Sequence, residues 1–197
     1  MGANRFSLSP ILRRHYESMR PPGSKRISFG TSAVLFAIPG IIGTGAIAVN
    51  FRLPAAALTP SMAALGVLTG AFLSGFVLLM NTRIKAADDE HMNYRHNLAR
   101  LIGQTAVTSL YLVIFCVAMI AACISVAIGW ELLASLPYGL SVASGLLLAG
   151  LVHVALTGAT FVRRLFGVYY QLFASDFTPE LQSIPPHRPA QRHRNSA

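Results

Sequence analysis

GLSVASGLLLAGLVHVALTGATFV, residues 139–162, runs for two dozen positions without a charged side chain. A helix needs about 20 residues to cross a hydrocarbon core of about 30 Å. The run is too long for an ordinary strand, and lipid requires each backbone N–H and C=O to be paired within the segment. Three other stretches read the same way: FGTSAVLFAIPGIIGTGAIAVN at 29–50, a run at 57–80, and one at 105–129 that opens TAVTSLYLVIFCVAMI. Between Ile27 and Asn81 the only ionic side chain is Arg52, and between Leu101 and Val162 the only one is Glu131. The expectation is an all-α polytopic membrane protein with four transmembrane helices arranged as two hairpins.

Composition agrees. Hydrophobic residues make up 53% of the 197 and charged residues 12%, against about 25% charged in a soluble domain. Four spans use nearly all the apolar sequence. This divides the chain into a basic N-terminal segment (1–28), a transmembrane domain (29–162) with a loop at 81–104, and a C-terminal segment (163–197). The polar opening and the length of the first apolar run argue against a secretory signal peptide. Phe6 stands where a myristoylation motif needs Ser or Thr.

Orientation follows from Lys and Arg beside the spans. Six lie before the first span, four in the 81–104 loop and five after the last span, against Arg52 alone in the two remaining turns. Both termini and the central loop are therefore expected in the cytoplasm, with the protein in the cell membrane. Phe51, Trp130 and Tyr138 flank the outer turns, and Tyr94, Tyr169 and Tyr170 lie beyond the inner ends, where amphipathic rings favour the headgroup zone. The net charge of +9 thus lies on the inner face. There Arg83, Lys85, Arg95, Arg100, Arg163 and Arg164 offer a surface for anionic lipid headgroups or a protein partner, at about 1 kcal/mol per cation near the membrane. No nucleic-acid motif accompanies the charge.

Within the central loop, Asp88, Asp89 and Glu90 suit the first turn of a helical extension into the third span. A metal site with His91 and His96 is the weaker reading, since the spacing lacks an i, i+4 histidine pair. After the fourth span, LFGVYYQLFASDF (165–177) extends that helix, bends along the membrane or docks on the loop, and ends in the turn at 176–179. SIPPHRPAQRHRNSA (183–197) has the composition of a disordered tail. PPGSKR (21–26) reads as a linker following a short amphipathic piece from Ile11 to Met19.

Pro39-Gly40 should kink the first span, and Pro60 fits the first turn of the second. Small residues matter because apolar surface alone does not drive helices together in lipid. Gly66, Gly70 and Ser74 form one stripe; Ser141, Gly145 and Ala149 form another, continued by His153 and Thr157. Both stripes are helix-packing candidates, within one protomer or between protomers. Four helices shield little interior, so a homo-oligomer is expected.

His153 lies ten residues before Arg163, or about 15 Å by helical rise. An ionisable group at that depth is a functional candidate. One reading puts His153 and Thr157 in a proton-responsive pore; the other is a neutral imidazole bonded to Ser109, Thr157 or a backbone carbonyl. Cys116 and Cys123 are seven apart, about 10 Å along a helix and too far for a bridge. Cys116 with His153 supplies too few ligands for a closed metal site.

The seven acids form no paired carboxylates and no Ser–His–Asp set, so no enzyme and no cofactor are expected. The spans also lack the acidic residue on which small four-helix multidrug exporters depend. Two readings follow: an oligomeric membrane scaffold or sensor that recruits a cytoplasmic partner, or a pore-forming, ion-conducting oligomer with His153 in the pathway. In architecture, with its tails and the TRIKAADDE loop (82–90) facing inward, the chain resembles the small four-span bacterial membrane subunits of anti-phage defence systems, such as the membrane component of Kiwa. That resemblance implies an oligomeric membrane sensor holding a cytoplasmic effector.

Overall fold

The computed structural model describes residues 8–18, 30, 33–88 and 96–177. The elements are α1 (Ser9–Ser18), a π-helical turn (Ala33–Ala37) leading into α2 (Ile38–Ala48), a 3-10 turn (Ala55–Ala57) leading into α3 (Leu58–Asp88), α4 (His96–Ile128), a short α5 (Trp130–Ser135) and α6 (Gly139–Phe177). No strand occurs among the described residues. Helices α3, α4 and α6 are long and apolar enough to cross a membrane, whereas α2 with its π turn forms a shorter apolar helix, Ala33–Ala48. Among the described residues the chain is therefore an α-helical membrane protein with three long apolar helices.

The long helices outrun their apolar stretches. Helix α3 continues to Asp88 instead of ending near residue 80, α4 begins at His96 instead of 105, and α6 reaches Phe177. Hydropathy marks where a helix meets lipid, not where its hydrogen bonds stop. Asp88 lies within α3 and not in the first turn of an extension into α4. Asp89, Glu90 and His91, the 21–26 linker and the 183–197 tail lie outside the described residues.

Side-chain repeats explain the packing. Leu58, Leu65, Phe72 and Leu79 on α3 are buried, as are Ile102, Ser109, Cys116 and Cys123 on α4, and Leu140, Leu147, Val154, Phe161 and Val168 on α6. Each set recurs every seven residues, the period that keeps one seam of a helix against a neighbour over many turns. Accordingly α3 packs on α4 and α4 on α6. The Phe72 and Phe161 rings meet edge to face with centroids 5.5 Å apart. The Ser109 hydroxyl donates to the Phe72 carbonyl, tying α4 to α3.

The two expected hairpins are only partly realised as packed pairs. Helix α2 lies against α6, not against α3, its neighbour in sequence. The cause is steric. A Cβ on Gly43 would stand 2.9 Å from the Ala149 side chain and 2.9 Å from the Gly145 carbonyl oxygen, so the two backbones approach only where side chains are absent. The far end of α2 is also anchored on α6. Asn50 adopts the left-handed conformation (φ 52); its N–H bonds the Ile47 carbonyl and the Phe51 N–H reaches back to Ala46, closing a Schellman motif. Ser141 then donates to the Asn50 side-chain oxygen, and the Leu53 N–H donates to Ser144 Oγ at 2.8 Å.

Candidate functional site

A polar seam runs through the junction of α1, α2, α4 and α6, beginning at Pro39. Proline has no N–H to offer the carbonyl four residues earlier, which is that of Leu35. The backbone there is π-helical (Ala33–Ala37). The freed oxygen of Leu35 lies 2.9 Å from His153 Nδ1 on α6. On the other side of the ring, the Tyr111 hydroxyl of α4 is 2.8 Å from His153 Nε2. Since a carbonyl can only accept, Nδ1 carries the proton and Nε2 accepts from Tyr111. Thr157 Oγ1, at 3.5 Å from Nε2, is at the limit of contact. Phe36 and Phe115 flank the ring, at 5.8 and 4.9 Å between centroids.

The imidazole is thus 8% exposed and fully bonded in its neutral form. This is the bonding expected of a structural histidine, with Leu35 as the carbonyl and Tyr111 as the hydroxyl. Ser109 faces Phe72 instead.

Towards the inner end the seam continues into α1. Ile11, His15 and Ser18 form the inward face of that helix, while Arg13, Arg14 and Glu17 face out, with Arg13 Nε 2.9 Å from Glu17 Oε1. The His15 ring stacks on Tyr111, at 3.9 Å between centroids and 4° between planes. It is 1% exposed, and its Nδ1 has no hydrogen-bond partner. Burial, followed by the nearby Arg164 guanidinium and the His153 ring, holds its pKa down at about 3; desolvation penalises the charged form and a neighbouring positive charge adds to it. Arg164 spans the junction. Its Nη1 donates to Thr108 Oγ1 at 3.0 Å and Ser18 Oγ at 3.2 Å, and Nη2 donates to the Ser18 carbonyl at 3.2 Å.

Arg164 therefore turns inward, away from the lipid-facing or partner-facing surface on which its charge placed it. Arg83, Lys85, Arg100 and Arg163 are exposed, and Arg95 lies outside the described residues. The two small-residue stripes separate. Ser141, Gly145 and Ala149 meet α2, but built Cβ atoms on Gly66 and Gly70 would touch nothing, and Ser74 is exposed, bonding only back to the Gly70 carbonyl. Cys116 and Cys123 are buried and free. No group of three or more His, Cys, Asp or Glu that could hold a metal occurs among the described residues.

Sequence reasoning missed His15, Tyr111 and Gly43. The first had a readable signal in the i, i+4, i+7 spacing of Ile11, His15 and Ser18. The lone Leu35 carbonyl was readable from Pro39 by counting back four residues. Comparison with protein-family models, curated proteins and solved structures finds no match for this chain.

Proposed function

We propose that the chain crosses the cell membrane four times, with both termini and the 81–104 loop in the cytoplasm, and acts as an oligomeric scaffold or sensor that recruits a soluble partner. The distribution of Lys and Arg supports this orientation. Ala33–Ala48 supplies the fourth crossing; its 16 residues rise about 24 Å, a shortfall that local bilayer thinning accommodates. The setting proposed is the one the architectural resemblance implies, a membrane subunit in bacterial anti-phage defence.

One observation carries the recruiting role: the long helices continue past their apolar segments, to Asp88 in α3, from His96 in α4 and to Phe177 in α6. These extensions carry exposed Arg83, Lys85 and Arg100. Helix α6 adds Phe166, which is 66% exposed. Cations beside an exposed aromatic side chain suit an acidic protein surface. The pore reading has less support, because His153 spends both ring nitrogens inside its own chain.

The test is affinity purification of the full chain in detergent from its own cells, beside the Arg83→Glu/Arg100→Glu/Arg163→Glu variant. A soluble protein retained in stoichiometric amount by the wild type and lost by the variant is expected. Ion flux through liposomes carrying the purified wild type, abolished by His153→Leu, would overturn the reading in favour of a pore.

A further inference from the structure

The bundle is complete without α1. Helices α3, α4 and α6 share the buried core, α2 packs on α6, and α1 packs on α4. It is held by the His15 ring on Tyr111, by Ser18 under the Arg164 guanidinium and by the Tyr16 ring beside Phe36 and Tyr111. The first is an awkward choice for a permanent contact. A phenylalanine would stack as well and bring no polar nitrogen, whereas His15 buries an Nδ1 that nothing in the structure satisfies. An unpaired buried polar atom destabilises the state that buries it, so the docked state is held below the stability this interface could have.

We propose that α1 is a proton-sensitive latch, docked on Tyr111 while His15 is neutral and released from the bundle when His15 takes up a proton.

Among the described residues, every charged or titratable group facing His15 fits that behaviour. From α6 come the fixed cation of Arg164 and the imidazole of His153; from α4 comes the neutral phenol of Tyr111; from α1 itself comes Tyr16, whose ring meets His15 edge-on at 5.5 Å. The α1 carboxylate, Glu17, is turned outward onto Arg13. A proton on His15 therefore sits buried beside Arg164, with no anion among the described residues to receive it. In the docked helix the histidine resists protonation until about pH 3, against an ordinary value of 6.5. Because the folded-state value is depressed for a base, docking is at full strength above about pH 6.5 and weakens as pH falls from there towards 3. Between pH 7.5 and 5.0 the docking constant should fall about thirtyfold. Release would uncover the Tyr111 face and free Arg164 from Ser18, changing the inner surface in response to acidification. The latch does not depend on the identity of any partner.

Hydrogen exchange of the α1 amides tests it, using the full chain in lipid nanodiscs at pH 7.5 and 5.0, with rates corrected for the intrinsic effect of pH. Wild-type α1 should lose about thirtyfold protection at pH 5.0, while the core of α4 around Leu112 keeps its own. In His15→Phe and His15→Leu, read side by side so that the answer does not hang on one variant, α1 should be equally protected at both pH values. Equal wild-type protection at the two pH values overturns the latch. So does the same loss in both variants, which would assign the response to another group such as His153, or a parallel loss in α4.

Discussion

Two stripes of small residues look alike in this sequence and have opposite fates. On α6, Ser141, Gly145 and Ala149 are pressed against α2, so closely that a Cβ on Gly145 would fall 2.6 Å from Ile47 Cγ1 and 2.7 Å from the Gly43 carbonyl oxygen. On α3, Gly66 and Gly70 look out from the face opposite the buried Leu58–Leu65–Phe72–Leu79 seam, with nothing within 4 Å of their built Cβ positions. Four-residue spacing reports that a helix can be approached closely. It does not report what approaches. The α6 stripe is occupied because α2 brings its own glycine, Gly43, to the contact.

The largest effect should come from filling the occupied stripe. Gly145→Leu forces α2 away from α6, and an insertion of that size into a tight contact should cost about 3 kcal/mol or more. In thermal unfolding of the detergent-solubilised protein this amounts to a drop of roughly 6 °C or more. An unchanged midpoint would mean that α2 is not seated on α6 as described.

A middle-sized effect is expected below that contact, at the polar seam. Tyr111→Phe removes the donor to His153 Nε2 and leaves a buried acceptor unpaired, a loss of about 1–3 kcal/mol in the same measurement. Thr157, at 3.5 Å, is too distant to replace it fully. No loss would indicate that the ring is satisfied from elsewhere.

The smallest effect on folding belongs to the open stripe. Gly70→Leu meets no neighbour, so stability should stay within about 0.5 kcal/mol. Particle mass should nonetheless fall by whole protomers, because the proposed oligomer uses this small-residue face, which the protomer leaves open. An unchanged mass would mark that face as lipid-exposed and remove its role in assembly.

How legible all this was depends on the range of the interaction. Apolar runs between 29 and 162 revealed the helices because burial in lipid is written residue by residue. Helix ends were not legible: the backbone ladder of α3 passes Arg83 and Lys85 to Asp88 without any change in hydrogen bonding. The depth of His153 was readable, but its partners belong to three other parts of the chain: Leu35, Tyr111 and, through Tyr111, His15. Pairings of that kind are set by how the helices lie, and one-dimensional spacing does not contain them. Arg164 was misread for the same reason. Its charge matched the inner-face pattern, while its side chain was claimed by Thr108 and Ser18.

Side-specific labelling of single cysteines, with Cys116 and Cys123 replaced by alanine, tests the four-crossing topology on which the whole reading rests. Cysteines at Leu12 in α1, Arg52 in the first turn, Ile84 near the inner end of α3 and Leu132 in α5 would be exposed to a membrane-impermeant thiol reagent in intact cells and again after permeabilisation. The account predicts labelling of positions 52 and 132 in intact cells, and of 12 and 84 only once the membrane is opened. Labelling at 12 or 84 in sealed cells, or protection at 52, would contradict it.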